Sequence, residues 1–174
     1  MAGPSGLEPA RAARDRMDGT WYQCRIMNEP ALAPQRVTEI AAAFAAALDR
    51  DDFAAAGRLL ADRCVYDTGQ AVLDGRAAVL RAYAEASAWV RSKLDEVRYE
   101  SEVERVEGMM ATVRFTDYLI RAGGRFHRHR CSQELTLGRD GTIVRIVHRE
   151  IRGEREALEA FFGECGITPS RRPP

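Results

Sequence analysis

The 174-residue chain has no net formal charge, since 26 Lys and Arg balance 26 Asp and Glu. That balance removes the broad attraction by which a basic domain holds nucleic acid or an anionic membrane. None of the four cysteines, Cys24, Cys64, Cys131 and Cys165, stands in a CxxC pair. A disulfide scaffold is therefore not expected, and a reducing, cytoplasmic setting fits better. No apolar run approaches the roughly 20 residues of a membrane helix. The N-terminus shows no apolar stretch of the signal-peptide kind. What is present is an ordinary globular balance of 45% apolar and 30% charged residues, enough for one domain with a real core.

Residues 1–33 are rich in Gly, Pro, Ala and Arg and are expected to form a flexible extension. Within them "TWYQCRIM" could dock through Trp21, Tyr22 and Ile26, and Met17 or Met27 could be the true start. The domain is expected over 34–165, with 166–174 a flexible tail. Pro34 suits a first helical turn, and Val37, Ile40, Ala41, Phe44, Ala47 and Leu48 fall on one helical stripe. "DDFAAAGRLLADR" reads as a shorter helix, "CVYD" as a strand and "TGQAVLDG" as a turn. A third helix, "GRAAVLRAYAEASAWVRSK", keeps Val79, Tyr83, Ala86 and Val90 in register. Four strand patterns follow, ending in "RFHRHRCSQELTL" and "TIVRIVHREI". "EREALEAFFGECGI" then closes the chain as a short helix. Short connections imply antiparallel hairpins, and helices gathered on one side of such a sheet make an α+β domain.

Three motifs occur in order: Asp51-Asp52-Phe53, "LLADRCVY" and "LDGRAAVLRAY". Together with the hairpin "LTLGRDGTIVRIVHRE" they resemble the nuclear transport factor 2-like superfamily, specifically its SnoaL-like members, over roughly residues 35–165. The resemblance implies a cone-shaped curved antiparallel sheet wrapped by N-terminal helices, an α+β barrel with a pocket in its mouth. It also implies homodimers formed through the sheet. The family holds polyketide cyclases, ketosteroid isomerase-like enzymes, epoxide hydrolases, dehydratases and binding modules without catalysis, so fold alone does not assign function. Two positions depart from the isomerase branch, Phe44 where it has tyrosine and Gln133 where it has a protonated aspartate, so that branch's oxyanion hole is missing, although Gln133 could still donate one hydrogen bond.

Alternation along "RFHRHRCSQELTL" puts His127, His129, Cys131, Gln133, Leu135 and Leu137 on one face and Arg128 and Arg130 on the other. The first set is expected to face inward. A four-residue "GRDG" loop would set Leu135 against Val144, Gln133 against Ile146, Cys131 against His148 and His129 against Glu150. A three- or five-residue loop centred on Gly123 would set Asp117 against His129, whereas a two-residue Gly123-Gly124 turn would bring Tyr118 inward instead. In the first register Asp117, His129 and Glu150 form one row, with neighbours about 4.5–5.5 Å apart. Such a row can transfer protons, or it can be a structural polar cluster.

His148, Gln133 and His127 complete the inward polar stripe, with Tyr66 and Trp89 as aromatic wall candidates. Asp67, at a strand end, is either a carboxylate of the site or a turn residue bonding its own backbone. A metal held by His127, His129 and Glu150 is the lesser reading, because Cys131 lies about 13 Å along the strand from His127. Arg114, Arg128, Arg130, Arg145 and Arg149, with Val147 and Ile143, are expected to form a mixed outer face, without the aromatic platform that nucleic-acid binding needs. The expectation is a SnoaL-like binder of a small apolar metabolite. It could act as a cofactor-free acid–base lyase, isomerase, cyclase or hydrolase, or as a non-catalytic ligand-binding or dimeric module.

Overall fold

Helix α1, Pro34–Asp49, buries the whole expected stripe and Ala45 with it. The computed structural model describes residues 32–121 and 123–168. The docking segment around Trp21, Tyr22 and Ile26 lies outside them, as do the possible starts and residues 169–174. After α1 the chain turns through Asp51, whose backbone takes a left-handed φ of 54°. Asp52 then caps helix α2, Phe53–Leu59, by accepting from the Ala55 N–H at 2.9 Å. The helix is shorter than its pattern suggests, because Leu60 already belongs to strand β1, Leu60–Asp67. The "TGQAVLDG" turn contains a three-residue strand, β2, Val72–Asp74.

Helix α3, Arg76–Lys93, crosses close to α2. A Cβ on Gly57 would stand 2.8 Å from Leu80 Cδ1, so only glycine allows that approach without Leu80 moving. Strands β3 (Glu96–Glu107), β4 (Met110–Arg121), β5 (Arg125–Leu137) and β6 (Ile143–Glu150) follow, and helix α4, Glu154–Glu164, ends the fold. The strand order is β2-β1-β6-β5-β4-β3. Neighbours are antiparallel except β1 and β6, which run parallel. The curved six-stranded sheet is mixed and does not close into a barrel.

The β4–β5 register is the one that places Asp117 opposite His129, with Phe115 opposite Cys131 and Val113 opposite Gln133. Gly123 and Gly124, both at positive φ, occupy the loop between the paired Arg121 and Arg125. The β5–β6 register differs from expectation. The turn is closed by Gly138 N–H donating to the Thr142 carbonyl at 2.7 Å, and Asp140 Oδ1 accepts from both the N–H and the hydroxyl of Thr142. Pairing starts at Leu137 with Ile143, and a bulge then skips Val144, so Leu135 faces Ile146. Gln133 therefore faces His148, and Cys131 faces Glu150. The bulge also turns Ile143 inward, fully buried, and leaves Val144 exposed, the reverse of their expected sides.

Among the described residues two apolar clusters pack against the sheet. The larger packs α1, α2 and α3 on the sheet around Phe44, Leu60, Leu135 and Ile146. The smaller joins Leu94, Val97 and Leu119 to Leu158, Phe161 and Phe162 of α4. Ile167 is buried in it, so the packed domain runs past residue 165. On the outer face four of the five arginines are engaged: Arg130 with Glu154, Arg145 with Asp67, Arg149 with Glu134 and Arg114 with Glu104.

Candidate active site

A cavity of about 190 Å³ lies where residues of the two clusters meet. Its sheet side is Tyr66 of β1, Tyr99 of β3, Phe115 and Asp117 of β4, His129, Cys131 and Gln133 of β5, and His148 of β6. Its helical side is Leu48 and Asp49 of α1, Asp51 of the next turn, Phe53 of α2, and Tyr83, Trp89 and Val90 of α3. Strand alternation explains the sheet side, since every second residue of a strand points inward and those nearest the space line it.

The row across the sheet is Tyr99–Asp117–His129. No β6 residue continues it, because β6 ends at Glu150, opposite Cys131. The place beside His129 is taken by Glu154, the first residue of α4, whose Oε2 lies 3.9 Å from His129 Nδ1. Glu150 is thus removed from the row. It sits 3.4 Å from His148 and 2.6 Å from Arg155, and does not line the cavity.

His129 is 5% exposed. Glu154 is held by three donors of Arg130, its backbone N–H at 3.0 Å and its guanidinium at 2.8 and 2.7 Å. Burial raises the Glu154 carboxyl, but these bonds and the nearby His129 outweigh it and leave the pKa below the ordinary carboxylate value. The imidazole therefore has an anionic neighbour that stays ionised. Glu150 is lowered in the same way, burial being outweighed by His148 and Arg155.

A second polar group lies next to the row. Tyr83 donates to Gln133 Oε1 at 2.8 Å, stacks on Tyr66 with ring centres 5.2 Å apart, and is itself met edge-on by Phe44. Burial pushes the Tyr83 hydroxyl well above its usual pKa, so it stays a neutral donor. With its oxygen occupied, the amide nitrogen is the Gln133 atom able to donate to a ligand. Tyr99 shares a 3.3 Å hydrogen bond with Ser87, and burial raises its pKa too, with Asp117 adding to the shift.

Asp117, His129, Gln133, His148, Tyr66 and Trp89 are therefore brought to one cavity, and three other sequence candidates are not. His127 stacks on Phe161 at 5.2 Å beneath α4, where burial lowers its pKa. Asp67 takes the turn role: it accepts from Gly69 N–H at 3.0 Å and pairs with Arg145. Glu150 is the third. Among the described residues no group of three His, Cys, Asp or Glu side chains is placed to hold a metal ion.

Asp49, Tyr99 and Glu154 are not among the residues the sequence pattern points to. Tyr99 was available from alternation with Val97 on β3, whereas Asp49 and Glu154 sit at helix ends whose packing no local pattern reveals. Asp49 carries a raised pKa, chiefly from burial and only partly offset by its bond to Ser101. The folded chain thus keeps this proton to higher pH than the unfolded chain, and stability falls as pH rises from 3.8 through the raised value. Asp49→Asn is expected to raise Tm by ~1–3 °C near neutral pH and to lose that advantage below the unfolded pKa. Thermal melts of both proteins from acid to neutral pH check this.

The sequence matches the SnoaL-like domain model over residues 41–146. Three solved structures share the fold at low identity. TerC, co-crystallised with polyporic acid, is 16% identical with a TM-score of 0.56, the match covering 71% of this chain and 98% of TerC. A candidate polyketide cyclase from Xanthomonas campestris is 18% identical with a TM-score of 0.52, covering 72% and 96%. A Mycobacterium tuberculosis LEH-like epoxide hydrolase is 20% identical with a TM-score of 0.51, covering 75% and 98%. No curated protein matches the sequence significantly. On the family match and the architecture together, the chain belongs to the SnoaL-like domain family.

Proposed function

We propose that the chain is an acid–base enzyme needing no cofactor, acting on a small, largely apolar molecule that carries oxygen. The observation that carries this reading is His129, buried in the wall of an apolar cavity with Asp117 on the next strand and an ionised Glu154 at 3.9 Å. A carboxylate beside an imidazole raises its basicity and orients it, so His129 would take a proton from the substrate and return it. Asp117 would share the proton or orient the substrate. Tyr83 through Gln133 would hold an oxygen on which charge develops, at a position aligned with an acidic residue of the isomerase branch. Leu48, Phe53, Phe115 and Trp89 favour an apolar skeleton. Two structural neighbours, a candidate polyketide cyclase and an LEH-like epoxide hydrolase, belong to the same range of chemistry.

The second reading is a binding module without turnover. The tie between His129, Glu154 and Arg130 favours it, because the same contacts also suit a structural polar cluster. Incubation of the purified chain with ring ketones, epoxides and polyhydroxylated aromatics, followed by mass spectrometry of products, separates the two. Conversion of at least one compound, lost in His129→Ala, is expected. Binding with no conversion of any compound supports the module instead. Association of two copies through the outer sheet face, where Phe126 is exposed, completes the proposal and is checked by sedimentation equilibrium.

A further inference from the structure

Trp89 stands between the cavity and the smaller apolar cluster. On α3, Ala86, Trp89 and Val90 follow one another at helical spacing, and all three line the cavity. The indole also meets α4, where the Phe162 ring packs against it edge-on with ring centres 5.5 Å apart. Phe162 is 2% exposed and does not line the cavity, so it forms a layer behind the Trp89 wall.

Phe162 is itself confined. Leu158 and Phe161 share its face of α4 and pack with Leu94, Val97 and Leu119. The helix is tied at both ends. Glu154 pairs with Arg130 at its start, and at its end the Ile167 N–H donates to the Phe162 carbonyl at 2.8 Å. Arg125 also holds the carbonyl of Glu164. A close-packed interior gives an aromatic ring little room, so the indole cannot retreat unless the Phe162 ring moves.

The space in front of that wall is small, about 190 Å³ against roughly 300–1,000 Å³ for ordinary ligand pockets. The polar walls are set in other ways: strand register aligns Tyr99, Asp117 and His129, and a hydrogen bond joins Tyr83 to Gln133. The Trp89 wall is set by ring packing from α4.

We propose that Phe162 is a specificity-determining residue, which braces Trp89 from behind and limits the ligand to a skeleton of about two fused rings. This rests on the reading that the cavity binds a small molecule. A longer skeleton has to press the indole onto a ring that cannot yield, and such overpacking is costly. Helix α4 then contributes twice to the site, through Glu154 at His129 and through Phe162 at Trp89.

The test compares 2-naphthol with 2-hydroxyanthracene, which adds one fused ring, by fluorescence titration at neutral pH. The unmodified chain is expected to bind the three-ring phenol about tenfold more weakly. In Phe162→Leu and in Trp89→Ala the difference falls below about threefold, because the wall can yield or is gone. Phe162→Met, near the ring in volume but flexible, shifts the ratio the same way and is the variant to read if Phe162→Leu unfolds. Phe161→Leu separates specificity from general loosening of α4. Its ring stacks on His127, so the change lowers stability and leaves the ratio within about twofold of the original. Equal binding of both phenols by the unmodified chain overturns the proposal and leaves cavity binding standing. So does an unchanged ratio in the folded Phe162 variants or in Trp89→Ala, or an equal shift in Phe161→Leu. Failure of both phenols to bind the folded, unmodified chain overturns it together with the binding reading beneath it.

Discussion

Phe44→Ala is expected to destabilise the domain by about 3–5 kcal/mol, enough to lower Tm by roughly 10–20 °C. Phe44 has no exposed surface and sits mid-stripe on α1, in contact with the larger cluster. Truncation removes the transfer energy of a whole ring and leaves a hole that rigid neighbours fill only in part. The edge-on contact with Tyr83, ring centres 6.2 Å apart, is lost as well. Tyr83 is the donor to Gln133, so this change also loosens the polar group at the cavity. Val72→Ala, at a residue 66% exposed, is the control and should stay within ±0.5 kcal/mol. Urea denaturation of the three proteins checks both values, and a loss under about 1 kcal/mol for Phe44→Ala would contradict the packing described.

The largest kinetic effect is expected at His129. If His129 moves the proton, His129→Ala lowers turnover about 10²–10⁴-fold, while ligand affinity changes only a few-fold. The reason lies in what each group contributes. An apolar skeleton in the cavity would be held by Leu48, Phe53, Phe115 and Trp89, none of which depends on the imidazole. Removing the imidazole deletes the proton acceptor and leaves Glu154 held by Arg130 on its own. His127→Ala is the informative comparison, since it deletes a histidine of the same strand that stacks on Phe161 away from the cavity. It should cost stability through α4 and leave kcat nearly unchanged. Equal losses of kcat in both variants would mean that the effect is structural.

Much of this arrangement is legible in the sequence, for a physical reason. Alternation along β5 depends only on strand geometry, so His129, Cys131 and Gln133 are assigned inward correctly. Gly123 and Gly124 mark a short loop whose length leaves two β4–β5 registers open, and the structure takes the one that places Asp117 beside His129. The β5–β6 pairing is less legible because a bulge at Val144 is set by packing of Ile143 into the core, and no residue signature announces it. The pairing moves by two residues. The inward set from Ile146 to Glu150 therefore survives, and only the partners change, which carries Glu150 away from His129. Its replacement, Glu154, comes from a helix that docks from outside the sheet, and such long-range placement follows from tertiary contacts rather than local pattern. Asp49 is hidden for the same reason, since its partner Ser101 is remote in sequence. His127 shows the limit of alternation: it points inward along the strand, but α4 covers that end and converts it to a packing residue.

The central claim is that the cavity beside His129 is a small-molecule site. A crystal structure of the chain soaked with 2,6-dihydroxynaphthalene tests it most directly. The ring system is expected between Phe115 and Trp89, with one oxygen within hydrogen-bonding distance of His129 or Gln133. A ligand seated only on the outer face of the sheet, with the cavity filled by Trp89 or Phe53, would contradict it.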